Sequence, residues 1–268
     1  MNWSALDLTI LGPALAAGAL VFATHVPLGR TVLDRGIIFI DLATAQIAGL
    51  GVINANVFGW ETEGWMTQIA AVSAAVLGAV MLHWTERRFP EIQETLIGVV
   101  FVLASTLGLL LLSNNPHAGE QLKDLLVGQI LWVSFSQLWP IAIIYACILG
   151  VWFCSDLPRT SRIIFYLLFA LTVTAPVQLV GIYLVFATLI IPALAASAYR
   201  FQWRLWVAYI LGIAGYVLGL VGSALLDLPT GAISVWGLAA SGVIAAYCSR
   251  FLANGNIEQQ SPRSTELN

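Results

Sequence analysis

Nine apolar runs occupy most of the chain, and most of them approach the ~20 residues that a helix needs to cross a bilayer. They are Leu8 to Val26, Gly36 to Phe58, Met66 to Trp84, Thr95 to Ser113, Leu138 to Cys154, Ile163 to Pro176, Val180 to Ala198, Leu205 to Leu225 and Ala232 to Cys248. Only 9% of the 268 residues are charged, and the mean hydropathy is +0.89. A soluble domain carries roughly 25% charged residues. A chain this poor in charge cannot cover a globular surface with solvated groups, so lipid must be its solvent. In lipid the backbone has to satisfy itself within each segment, which leaves helices as the fitting element. The expected fold class is an all-α, polytopic transmembrane helical bundle of eight to nine spans.

The sixth run leads almost directly into the seventh. The two form either a tight hairpin through APVQLVG or one interrupted helix. Charge favours the hairpin. With nine spans and the N-terminus outside, Arg30, Arg35, Arg87, Arg88, Arg159, Arg162, Arg200, Arg204, Arg250 and Arg263 all fall inside, and only Lys123 falls outside. That is the positive-inside pattern, with the C-terminus in. Residues 1–250 are read as the membrane domain and 251–268 as a disordered cytoplasmic tail, because NGNIEQQSPRSTELN is polar and aperiodic. The N-terminus lacks a basic stretch before its apolar run, which argues against a cleaved signal. In HAGEQLKDLLVGQILWVSF, Leu122, Leu125, Leu126 and Ile130 recur at helical spacing, as in an interfacial or re-entrant helix.

Several functions are excluded or disfavoured. A net charge of −3 gives no basic face for nucleic acid. Cys147, Cys154 and Cys248 are scattered without metal-ligand spacing. No phosphate-binding glycine loop, HExxH or GxSxG is present, so any ATP hydrolysis belongs to a separate chain.

The chemistry must therefore come from polar groups inside the membrane. In GIIFIDLATAQIAGLG, Asp41 lies six residues past Arg35. If the helix starts near Gly36, Asp41 is expected well inside the hydrocarbon, roughly 9 Å along it at 1.5 Å per residue. A charge at that depth costs about 2.5–3.5 kcal/mol on insertion scales. Such a residue is a functional candidate by default; pairing with Arg35 or capping a broken helix is the simpler alternative. Thr44, Ala45, Ala48, Val52 and Ala55 follow Asp41 on one stripe of small residues suited to a close helix contact or a narrow path. Gln46 points about 140° away at 100° per residue. His25 ends the first run before Pro27, as an interfacial residue or an imidazole ligand. His83, beside Trp84, reads as an interfacial anchor. His117 and Glu120 share an outside loop. Gly181 and Pro192 mark candidate hinges, Pro192 because it frees a backbone carbonyl.

Four stretches together resemble a known family. VQLVGIYLVFATLIIPALAA, Val177 to Ala196, resembles the signature of the ABC-3 metal-ion permeases. PLGRTVLDRGIIFIDLATAQIAGLGV resembles their second-helix region. ETLIGVVFVLASTLGLLLLS resembles their Thr-x-Ile-Gly helix, and LLVGQILWVSFSQL the segment before the fifth span. Each motif is weak alone, but here they occur in the family's order and cover most of Pro27 to Ala196. The resemblance implies the inner-membrane, multi-pass permease subunit of an importer of divalent metal (zinc, manganese or iron). Such a subunit has no catalysis of its own and holds no stably bound cofactor, since the metal is its substrate. The implied partners are a second copy of this chain, a cytoplasmic ABC ATPase, a periplasmic or lipoprotein metal-binding protein, and lipid.

Two departures qualify the match. The family's second-helix pattern pairs Asp with His four residues on; here Asp41 matches, but Ala45 or Gln46 stands at the histidine position. A site without that imidazole is harder, favouring manganese or iron(II) over zinc, with His25 as a replacement ligand from the neighbouring helix. The family's docking segment for the ATPase is also reduced here to SDLPRTSR, leaving Asp156 and Arg159 as its contacts. Two other readings remain open at this point: a proton-coupled secondary transporter using Asp41, and a membrane scaffold without transport.

Overall fold

The computed structural model describes residues 8–61, 64–155 and 161–258. Among them are ten α-helices and no strand. In chain order these are α1 (Leu8–Arg35), α2 (Ile40–Val57), α3 (Trp65–Arg88), α4 (Gln93–Leu112), α5 (Ala118–Val127), α6 (Phe135–Cys154), α7 (Arg162–Val180), α8 (Ile182–Ala196), α9 (Arg204–Leu226) and α10 (Thr230–Glu258).

Seven are long and apolar enough to cross a membrane: α1, α3, α4, α6, α7, α9 and α10. The expected all-helical bundle is therefore present. Each of the nine apolar runs falls on one helix, and the remaining two are α2 and α8. α8 has only 15 residues, and α2 has 18 and carries Asp41, Gln46, Asn54 and Asn56. Both sit in the interior with most of their residues buried. α2 packs on α3, α4 and α7, while α8 packs on α1, α9 and α10. By contrast, α4 turns Val102, Leu103 and Leu110 outward, and α6 turns Trp139, Ile143 and Phe153 outward. An outward apolar face of this kind suits lipid.

Arginines gather at one end of the bundle. Arg162 Nη1 lies 3.1 Å from Glu86 Oε1, joining α7 to α3. The Arg35 guanidinium lies 4.0 Å from the centre of the Phe165 ring, within the field of Glu86. Arg30 lies 4.0 Å from the Phe201 ring, and with Asp34 and Arg204 it lines a small cavity that also touches Ala193 and Ala196. At the far end Lys123, Asp124 and Asp227 surround a second cavity. α7 leaves the arginine end and α8 returns to it, so the two form a hairpin. Its turn is the single residue Gly181 (φ +81°), and α7 runs on through Pro176, where the sequence suggested a stop.

That turn is braced by α5. Gly128 (φ +74°) and Gly181 lie back to back: a Cβ on either would strike the other's peptide backbone. The Gln129 N–H donates to the Leu179 carbonyl at 3.0 Å. Both positive φ values and the close approach demand glycine. α5 is helical at the expected place, and its Leu125 and the following Ile130 are buried.

Prolines inside helices cost hydrogen bonds, and tyrosines restore two of them. Pro27 has no N–H for the Ala23 carbonyl, so the Tyr209 hydroxyl of α9 donates to it at 3.1 Å. Pro176 likewise frees the Thr172 carbonyl, which accepts from the Tyr145 hydroxyl of α6 at 2.9 Å. With its carbonyl satisfied, α1 continues through Pro27 to Arg35 rather than ending at Val26. Gly36 (φ +70°) then breaks the chain, and α2 begins at Ile40 rather than near Gly36. α10 is helical to Glu258, eight residues past the boundary expected at 250. α8 passes through Pro192 without interruption, where a Cβ on Gly212 of α9 would lie 3.2 Å from the proline ring.

Tyr209→Phe should lower stability by about 1–3 kcal/mol, the cost of an unpaired buried carbonyl. Restoring the helix's own donor with Pro27→Ala should make Tyr209→Phe nearly neutral. Thermal melting of the four proteins in detergent measures this cycle; an equal cost in both backgrounds would show that the pairing plays no part.

Candidate functional site

Asp41 stands in the first turn of α2, not about two turns into it, because the helix starts at Ile40. It is nonetheless fully buried, since α3, α4 and α7 surround α2. Neither carboxylate oxygen has a hydrogen-bond partner among the described residues. Pairing with Arg35 is thereby excluded in this structure: that guanidinium is engaged with Phe165 and lies in the field of Glu86. Capping is excluded too, because α2 has no side-chain cap from its own N-cap residue, Phe39, and Asp41 bonds to no backbone amide. The helix dipole still favours a carboxylate in this turn, by about 0.3–1 kcal/mol.

The small stripe behaves as the spacing predicts. Thr44, Ala45, Ala48, Val52 and Ala55 are all buried with Asp41. Ala45, one of the two candidates for the position of the family pattern's histidine, lies on this face. Gln46 lies on a different, half-buried face.

His25 is not interfacial. Because α1 continues through Pro27, His25 lies well inside the helix and is fully buried. Its Nδ1 lies 2.9 Å from the Val21 carbonyl and 3.2 Å from the Thr24 hydroxyl oxygen. A carbonyl can only accept, so this contact assigns the proton to Nδ1 and leaves a lone pair on Nε2. Nε2 is buried and has no partner among the described residues. A histidine that donates one ring N–H to a carbonyl and keeps the other nitrogen open has the form of a metal ligand.

Tyr145 links the two groups. Its ring centre is 6.5 Å from that of His25. Its hydroxyl lies within electrostatic reach of the Thr24 side chain and of Asp41. Thr172 supplies the carbonyl it donates to. Four helices, α1, α2, α6 and α7, thus converge on one buried polar cluster. Among the described residues no three His, Cys, Asp or Glu side chains come together as a metal-holding group. The cluster contributes one carboxylate, one imidazole with an open nitrogen, and hydroxyl and carbonyl oxygens.

The other singled-out residues stay apart from this cluster. His83 faces Tyr166, ring centres 5.8 Å apart, near the arginine end. His117 Nδ1 and Glu120 Oε2 lie 3.8 Å apart on an exposed turn. The three cysteines are free and exposed. Asp156 and Arg159 lie outside the described residues. Thr24, Tyr145 and Thr172 were not singled out from the sequence. Pro176 is the signal that a donor must reach Thr172, but nothing in the sequence names Tyr145 as that donor.

The sequence profile of the ABC 3 transport family matches residues 7–157 and 156–249. The chain belongs to this family. ABC 3 members are permease subunits of ABC transporters and carry no ATPase site of their own, and with seven apolar helices the chain is a multi-pass membrane protein. It is 28% identical over 249 residues to the manganese transport system membrane protein MntC of Halalkalibacterium halodurans, covering 85% of this chain and 83% of that one. It is 25% identical over 249 residues to the high-affinity zinc uptake system membrane protein ZnuB of Haemophilus influenzae, covering 83% and 91%. Its fold is similar to that of PsaBC from Streptococcus pneumoniae in complex with Fab, with a TM-score of 0.69, 21% identity, and coverage of 88% and 90%.

An unpaired buried carboxylate is a cost to the folded state. Asp41→Asn should therefore raise the melting temperature in detergent, relieving about 1–3 kcal/mol of unmet desolvation. A clear fall would mean that the carboxylate is paired in the folded protein.

Proposed function

We propose that this chain is the translocation subunit of an ABC importer for a divalent transition metal, and that Asp41 and His25 line the path. The observation that carries this reading is the Asp41 carboxylate: fully buried, unpartnered, and within electrostatic reach of Tyr145, whose ring also neighbours an imidazole with an open Nε2. Intramembrane ionisable groups without a structural partner mark ion routes. The ABC 3 membership and the manganese and zinc relatives support metal as the cargo. A single carboxylate, one imidazole and neutral oxygens form a hard, sparse site. That favours manganese or iron(II) over zinc and suits passage rather than retention.

In this reading the arginine end faces the cytoplasm, the N-terminus lies outside, and all nine hydrophobic helices traverse the inner membrane. Two copies of the chain pair. A separate ATPase docks at the arginine end, with Asp156 and Arg159 among its contacts, and a periplasmic or lipoprotein binding protein delivers metal at the Lys123 end. Gly181 and Pro192 flex as outward and inward states exchange. Gln46, on its separate face, takes at most a late part in the path.

The test is uptake of radiolabelled manganese, iron(II) and zinc into proteoliposomes holding the chain and its ATPase. Asp41→Asn and His25→Ala should each cut uptake by about 10- to 100-fold, the usual loss for a metal-contacting group, with manganese or iron preferred in the wild type. Wild-type uptake by both variants would remove these residues from the path. Uptake that ignores ATP but collapses with the proton gradient would replace the ATP-driven reading with a proton-coupled one.

A further inference from the structure

We propose that Glu94, at the start of α4, is a positioning residue that caps α2 from outside and so leaves Asp41 free to meet a cation. The proposal rests on the metal-path reading above. Its ground is a division of labour at one helix terminus. The first N–H groups of a helix have no internal partner. An aspartate in the first turn of a buried helix is normally drawn to those amides, since its short side chain reaches them and the dipole favours its charge. Asp41 is not so engaged: both of its oxygens are unpartnered.

The Ile40 N–H is met by the Ile37 carbonyl at 3.2 Å, and the entry to the helix is held by Glu94 instead, from 55 residues away in sequence. Its Oε1 accepts the Phe39 N–H at 3.1 Å. The Ile38 backbone lies near the same carboxylate and favours its charge. Phe39 is the N-cap of α2, and its own side chain offers no acceptor.

The neighbouring residue anchors this cap. Gln93, buried to 4% exposure, donates from Nε2 to the Leu82 carbonyl at 2.9 Å and to the Tyr166 hydroxyl at 3.3 Å. One turn on, Ile97 is fully buried. The start of α4 is thus fastened to α3 and α7, and Glu94 projects from a fixed base onto the entry of α2. The register of α2's first turn, and with it the place of the Asp41 carboxylate, follows from that contact. The functional part of ETLIGVVFVLASTLGLLLLS is on this account its first residue.

The experiment combines hydrogen exchange with transport in the full chain with its ATPase. In Glu94→Ala, amides of residues 38–43 should exchange about tenfold faster or more as the turn opens. Amides of α9 and α10 should be unchanged. The apparent KM for manganese should rise about tenfold, as for loss of an outer partner of a metal-contacting group. Glu94→Gln keeps an acceptor oxygen and should restore both protection and KM to near wild type. If Glu94→Ala fails to fold, Glu94→Asp, whose shorter reach breaks the same contact, takes its place. Unchanged protection in residues 38–43, or a Gln variant as impaired as the Ala variant, overturns the proposal. The two readings separate cleanly. Normal uptake in Asp41→Asn with an opened turn in Glu94→Ala leaves the cap standing and removes the metal path. Lost uptake in Asp41→Asn with wild-type exchange and KM in Glu94→Ala does the reverse.

Discussion

Inside a bilayer there is no water to satisfy a stray backbone group, and much of this structure follows from that constraint. Pro27 and Pro176 each free a carbonyl in the interior, and each carbonyl is met by a tyrosine from another helix, Tyr209 or Tyr145. These two bonds explain why α1 and α7 run on through their prolines. They also place two tyrosines where apolar residues would otherwise pack. One of them, Tyr145, becomes the meeting point of His25, Thr24 and Asp41. A repair of backbone hydrogen bonding thus frames the polar cluster on which the proposed chemistry depends.

The same constraint makes the exceptions informative. Most buried polar side chains here have ordinary explanations: Thr174 and Thr188 return hydrogen bonds to their own helices, and Ser223 meets Thr230. Among the described residues Asp41 has no partner for either carboxylate oxygen, and the Nε2 of His25 and the Oγ of Ser234 are also left open. A folded protein keeps such groups at a cost, and function is the usual reason for keeping them. Glu94 adds that the N-cap amide of α2 is met without Asp41.

Glycine supplies the other geometric device. Gly128 and Gly181 let the end of α5 lie directly on the α7–α8 turn, and Gly215 and Gly237 bring α9 and α10 into backbone contact. Close approach by small residues is how membrane helices pack without a hydrophobic driving force between them. The interior pair α2 and α8 is sheltered by these contacts.

Much was legible in the chain alone. Composition dictates a membrane protein, because a surface with 9% charge cannot face water. The apolar runs locate the hydrophobic helices, because lipid leaves the backbone no other regular choice. Ordered motifs point to the family, and a lone carboxylate among small residues points to Asp41. Helix ends were not legible, since a proline stops a helix only when nothing meets the carbonyl it frees, and that partner lies far away in sequence. The same holds for the site. His25 reads as interfacial until Tyr209 carries α1 past Pro27, and Thr24, Tyr145 and Glu94 acquire roles only when four or five helices come together. What the sequence by itself determined was the solvent, the secondary structure and the one costly charge. The tertiary structure alone decided which distant groups satisfy each freed carbonyl and amide, and therefore which polar atoms remain open.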